Sequence, residues 1–118
     1  MKTLAYTIDL QDAPESISLY KEYHKDVWPE VIESNLRLGV RKCKIFLFGT
    51  RVVMIMETED WYDPEAGLRD YASGLREKEW DALMRSFQKP VVQTSSDIWW
   101  SAMEIIFDMD EYTTVLSV

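Results

Sequence analysis

One histidine stands in the chain, His24, inside "KEYHKDVWPE" at residues 21–30. Tyr20, His24 and Trp28 are spaced i, i+4 and i+8. A helix regular to Trp28 would therefore carry a phenol, an imidazole and an indole in one line. An unperturbed imidazole both gives and takes a proton near pH 7. Two readings follow from the spacing. Either the line is the buried stripe of an amphipathic helix and His24 is a satisfied core histidine, or it lines a cleft. In a cleft, an aromatic ring would pack on an apolar ligand face while the Tyr20 hydroxyl and His24 handle protons and hydrogen bonds.

Other chemistries lack their residues. The sequence holds no glycine-rich phosphate loop, no HExxH, no EF-hand loop and no serine nucleophile elbow. A single histidine has no second nitrogen ligand, and Cys43, the lone cysteine, builds neither a disulfide nor a thiolate metal site. The acidic run "METEDWYDPE" reads as a solvated loop, and Cys43 as a small strand hydrophobe. No metal and no cofactor are expected. The formal charge of −8 repels phosphate backbones and anionic lipid surfaces, so neither nucleic acid nor membrane is an expected partner. The first residues lack the apolar run of a signal peptide, and nothing approaches the roughly 18 apolar residues of a membrane span. Free cysteine then fits a reducing cytoplasm.

The elements that must position these residues alternate in type. "KTLAYTIDL" has strand period. Asp12 and Glu15 form a capping-box pattern, so a helix is expected from about Ala13. Trp28-Pro29 interrupts it, with a restart expected near Asp26, and Gly39 closes the second piece after Leu38. "VRKCKIFLF" and "RVVMIMET" flank Gly49-Thr50 as a hairpin. Residues 64–73 and 75–87 look helical around Gly74. "VVQTSSD" is an irregular connection, and "IWWSAMEIIFDM" is the last strand. The order β-α-β-β-α-β predicts an α+β, ferredoxin-like fold with an antiparallel sheet. With 118 residues, 47% of them hydrophobic, one domain over 1–110 with a tail at 111–118 is expected. Phe46 and Phe48, Met54 and Met56, and the last strand on both parities are large and apolar. Strands apolar on both faces need cover on both. One copy has helices for one face, so a homodimer is expected to cover the other.

"YKEYHKDVWPEV" resembles the helix of the L-rhamnose mutarotase family, whose pattern is Tyr-x-x-x-His followed shortly by Trp-Pro-Glu. The resemblance runs from "AYTIDL" to "MEIIFDM" and includes the Gly39 turn, "IFLFGTRVVMIMET" and the Trp80 segment. It implies a dimeric α/β barrel that interconverts the α and β anomers of a 6-deoxy-hexose, a small monosaccharide substrate, without cofactor or metal. It also implies His24 as the acid, with Tyr20 and Trp80 as substrate contacts. Rhamnose-type members carry a second Trp where this chain has Asp81, and a strand Tyr where it has Cys43. "GTRVVMIME" instead resembles the L-fucose-type branch. Asp81 is then expected to line the pocket and accept a differently placed sugar hydroxyl.

Mutarotation needs only an acid and a base near neutrality. His24 would protonate the ring oxygen, Tyr20 would orient a hydroxyl, and Trp80 would pack on the sugar's C–H face. For the base, Glu57 or an ordered water are the candidates. The rival reading on the same fold is a cofactor-free monooxygenase or a non-catalytic ligand-binding module, since fold does not fix function.

Overall fold

The alternating run at the N-terminus becomes the centre of the sheet. In the computed structural model, which describes residues 1–92 and 99–112, β1 (Lys2–Leu10) pairs antiparallel with β3 (Arg51–Thr58) from Lys2↔Thr58 to Asp9↔Arg51. β2 (Val40–Phe48) forms the outer edge on β3. Gly49, at φ 62°, supplies the turn between them. Two short strands share the other edge of β1. β4 (Gln88–Lys89) pairs with Asp9 and Leu10, and β5 (Ser101–Ala102) with Tyr6 and Thr7. The order β2-β3-β1-β4 is antiparallel throughout, and the sheet is open. With the helices between the strands, this is the expected ferredoxin-like α+β arrangement.

Among the described residues the second layer is formed by the helices α1 (Pro14–Tyr23), α2 (Pro29–Leu38), α3 (Pro64–Asp70) and α4 (Leu75–Phe87). The residue at N1 of α1 is Pro14 and its N-cap is Ala13, which makes no side-chain bond. The expected Asp12–Glu15 box therefore does not form. The helix also does not run on to Trp28. It stops at Tyr23, with His24 as its C-cap, and restarts at Pro29 behind Trp28 rather than at Asp26. Proline has no N–H to donate and is best tolerated in a first turn, so Pro29 sets the start of α2. Gly39 ends α2 at φ 108°, a conformation L side chains rarely adopt. A Cβ there would also lie 3.0 Å from the Trp61 ring. The α3 cap is supplied by Asp63, whose carboxylate accepts from the backbone N–H groups of Glu65 and Ala66.

Alternation decides which side chains meet the helices. Ile8, Leu10 and Val52 are fully buried and pack with Tyr20, Val31, Trp80 and Met84. Tyr6, Val40, Met54, Met56 and Tyr62 extend that core toward α3. The opposite parity turns away from the helices and leaves Phe46, Phe48 and Ile55 exposed, Phe48 at 88%.

The last strand is much shorter than the sequence implies. Of the run 98–109, Ile98 lies outside the described residues, as do Gln93–Asp97 of the preceding connection and 113–118 of the expected tail. Among its described residues only Ser101 and Ala102 join the ladder, followed by one bond from the Met103 N–H to the Ala5 carbonyl at 2.8 Å. Residues 103–108 then run on without a ladder, with Ile105, Ile106 and Phe107 exposed. A segment apolar on both parities needs cover on both faces, and here Ile105 and Ile106, on opposite parities, are both exposed. Among the described residues no helix is long and apolar enough to cross a membrane.

Candidate functional site

Between the helix layer and the β2–β3 half of the sheet lies a cavity of about 470 Å³. That is within the range of roughly 300–1,000 Å³ usual for small-molecule sites. Cys43, Ile45, Met54 and Met56 form its floor. Tyr20 and His24 from the end of α1, Val31 and Asn35 from α2, and Trp80 and Met84 from α4 form its walls. Tyr71, Gln88 and Trp100 also reach it. The lining is mostly apolar with a few convergent polar groups, the character of a small-ligand site.

His24 stands at the end of α1, where a C-cap side chain leaves the helix axis. Its Nδ1 lies 2.8 Å from the carbonyl oxygen of Tyr20. A carbonyl only accepts, so Nδ1 carries the proton and donates. Nε2 is then the bare nitrogen of the neutral ring, and it has no protein hydrogen-bond partner among the described residues. Burial pushes the imidazole pKa below its ordinary 6.5, against an upward pull from the Tyr20 carbonyl. At neutral pH the ring is uncharged and Nε2 is a proton acceptor. The rings of Tyr20 and Trp80 hold it at centroid distances of 4.4 and 5.6 Å.

Tyr20 is 4% exposed, and its hydroxyl accepts from Gln88 Nε2 at 2.9 Å. The Gln88 amide is itself fixed, because the Trp99 indole N–H donates to its Oε1 at 2.7 Å. Desolvation pushes the Tyr20 pKa up to about 12, so the phenol keeps its proton. With a lone pair engaged by Gln88, the Tyr20 O–H is free to donate.

Trp80 sits on the inner face of α4, with Tyr23 and Trp28 edge-on to it at 6.3 and 5.2 Å. Trp28 is not part of the lining. Its ring lies under the Arg76 guanidinium at 3.9 Å and braces Trp80 from behind. The expected line of Tyr20, His24 and Trp28 is therefore broken by the helix end, yet His24 and Trp28 meet through Trp80.

The structure brings Tyr20, His24 and Trp80 together on one cavity and sets Asp81 apart from it. Asp81 does not line the cavity. Its Oδ1 accepts a short hydrogen bond from the Tyr71 hydroxyl, and its Oδ2 pairs with Arg85 Nε at 2.9 Å. The reason is helical geometry. Successive residues lie 100° apart, so Trp80 facing inward turns Asp81 to the side. Glu57, the candidate base, is also remote. It pairs with Lys42 at 3.4 Å and is absent from the lining, because its strand neighbours Met56 and Thr58 take the inward parity.

Three polar residues at the cavity carried no local signal. Tyr71 caps α3, Gln88 follows α4, and Asn35 donates to the Val31 carbonyl one turn back at 2.9 Å. Tyr71 and Gln88 are polar to the site only through partners ten and sixty-eight positions away. Among the described residues no three metal-ligating side chains cluster.

The family described as L-rhamnose mutarotase matches residues 3–109. An L-fucose mutarotase of Xanthomonas campestris is 35% identical over 117 residues, covering 98% of this chain and 94% of that protein. A UPF0734 protein of Dictyostelium discoideum is 39% identical over 117 residues, covering 92% and 90%. Among solved structures, the L-rhamnose mutarotase of Formosa agariphila superposes with a TM-score of 0.69 at 20% identity. It covers 92% of this chain and 99% of that one.

Proposed function

The chain belongs to the L-rhamnose mutarotase family, and from that premise we propose that it interconverts the α and β anomers of a 6-deoxy-hexose of the L-rhamnose or L-fucose type. The observation that carries this reading is the bare Nε2 of a neutral His24, held between Tyr20 and Trp80 on a largely apolar cavity.

The reaction balances without any outside reagent. The anomeric O–H bond breaks, a carbonyl forms at C1, the bond from C1 to the ring oxygen breaks, and the ring oxygen gains a proton. The C1–C2 bond turns, and the steps reverse on the other face. No proton is gained or lost overall. Neutral His24 takes the anomeric proton at Nε2. The imidazolium so formed is the acid that protonates the ring oxygen. The bond from Nδ1–H to the Tyr20 carbonyl stabilises that cation in passing, since a charged donor makes the stronger bond. The Tyr20 hydroxyl, with its lone pair engaged by Gln88, donates to a sugar oxygen where negative charge develops. The indole of Trp80 packs on the C–H face of the sugar.

Assembly is part of the same reading. Phe46, Phe48 and Ile55 on one face, and the apolar run at 103–109, fit cover by a second copy into a dimeric barrel. The decisive experiment is anomer exchange measured by saturation-transfer NMR on L-rhamnose, L-fucose, D-galactose and D-glucose. Acceleration of a 6-deoxy sugar over the uncatalysed rate is expected. Binding without acceleration would refute catalysis, and oxygen consumption with a quinol would point to monooxygenation.

A further inference from the structure

The two phenols at the cavity have opposite hydrogen-bond polarity, and the residues behind them impose it. Tyr20 accepts from Gln88 and is left with a proton to donate. Tyr71 donates its O–H to the Asp81 carboxylate, and its oxygen is left with lone pairs. The Tyr71 arrangement is held from several sides. Arg85 pairs with the far oxygen of Asp81 at 2.9 Å. Ser34, 1% exposed on α2, donates to the Tyr71 carbonyl at 2.8 Å. The backbone of Tyr71 is thus tied to α2 and its hydroxyl to α4. Burial and the neighbouring Asp81 charge push the Tyr71 pKa far up, so the hydroxyl keeps its proton.

We propose that Tyr71 is a second substrate-contacting phenol whose oxygen accepts a hydrogen bond from one ring hydroxyl of the sugar, and that Asp81, braced by Arg85, is the positioning residue that fixes this polarity. The inference rests on the mutarotase reading and extends it. A sugar is gripped where one of its oxygens meets the Tyr20 donor and one of its hydroxyls meets the Tyr71 acceptor. Selectivity then comes from the orientation of that hydroxyl rather than from a direct contact with Asp81. An epimer that turns the hydroxyl away leaves a buried acceptor unpaired, which is costly in a desolvated site.

The test uses the full chain with L-fucose, L-rhamnose and their monofluoro analogues at C2, C3 and C4, because fluorine replaces a hydroxyl without being able to donate. Tyr71→Phe is expected to raise KM for the better natural sugar about 3–10-fold, the range for one hydrogen bond. One fluoro analogue should show a similar loss with the wild type and no further loss with Tyr71→Phe. Asp81→Asn, whose amide can turn a donor toward Tyr71, should weaken the same sugar by about 2–5-fold. It should add nothing in the Tyr71→Phe background. Circular dichroism of each variant fixes the folded fraction to which rates are referred. If Tyr71→Phe slows every analogue equally, or changes none, the assignment of Tyr71 falls while the mutarotase reading stands. Additive losses from the two variants would overturn the positioning role of Asp81. If the wild type exchanges no anomer of either sugar, the mutarotase reading falls and the proposal with it.

Discussion

Replacing His24 by Asn separates its chemistry from its packing. The Asn amide nitrogen approximates Nδ1 and can keep the donation to the Tyr20 carbonyl, now 2.8 Å. It has nothing in the place of Nε2. The stability cost comes from the ring contacts with Tyr20 and Trp80 at 4.4 and 5.6 Å. At about 0.5–1.5 kcal/mol for each aromatic pair, the loss is about 1–3 kcal/mol. That lowers the melting temperature but leaves a chain with an ordinary stability margin mostly folded. The catalytic cost is that of a positioned acid/base group, about 10²–10⁴-fold, or about 2.7–5.4 kcal/mol of barrier. Exchange should therefore collapse to near the uncatalysed rate in a folded protein. Polarimetry or NMR exchange gives the rate, and circular dichroism the folded fraction. The wild-type rate should also hold on the alkaline side and fall as pH drops through a midpoint below 6.5, because the folded pKa is depressed. Stability follows the same sign. The unfolded chain takes the proton first, so stability declines as pH falls below about 6.5 and levels off once the folded ring is also protonated. A His24→Asn protein that exchanges anomers within threefold of the parent, or one whose lost activity only tracks its unfolded fraction, would refute the assignment.

Three further outcomes are expected. Exchange of L-fucose should be at least as fast as that of L-rhamnose, and Asp81→Ala should narrow the gap by freeing the Tyr71 hydroxyl; a clear preference for L-rhamnose would contradict this. Sedimentation at micromolar concentration should give twice the monomer mass, and Phe46→Lys with Phe48→Lys should shift it toward the monomer by placing charge on the exposed sheet face; a monomeric parent would end the barrel proposal. Gly39→Ala should cost about 1–2 kcal/mol from its φ of 108° alone, more if the Trp61 ring at 3.0 Å cannot give way, read as a lower midpoint in urea; an unchanged midpoint would contradict the strain argument.

Local signals carried most of the architecture. The strand runs at 2–10, 40–48 and 51–58 and the helix at 75–87 form where alternation, turn residues and Gly74 place them. The errors fall where local pattern competes with something remote. The Asp12–Glu15 pair has capping spacing, but Pro14 starts the helix one residue later than a cap at Asp12 requires. "IWWSAMEIIFDM" has strand composition, but among the described residues only Ser101 and Ala102 pair with β1, opposite Thr7 and Tyr6. At the site, Tyr20 and His24 were legible because they lie one turn apart on the same helix. Tyr71 was not, since its proposed role depends on Asp81 across the junction between α3 and α4. Gln88 needed knowledge that Tyr20 and Trp99 converge on it. Asp81 was legible as unusual but not as to its direction, which the inward turn of Trp80 decides.

β2 ties the cavity to the proposed interface. Its odd residues Cys43 and Ile45 form the cavity floor, while Phe46 and Phe48 on the other parity face away. A bulge at Arg41 shifts the register between Val40 and Lys42, so a single irregularity near the strand start sets which parity faces which way along its length. Among the described residues β2 pairs only with β3, which makes it an edge strand. A second copy covering Phe46 and Phe48 would hold that floor rigid beneath His24. Dimerisation would then stabilise the geometry on which the proposed proton transfer at Nε2 depends. A variant that dissociates the dimer should accordingly lose exchange activity while the intrinsic pKa governing its pH profile changes little, because the groups that set that pKa, the Tyr20 carbonyl and the burial around His24, belong to one chain.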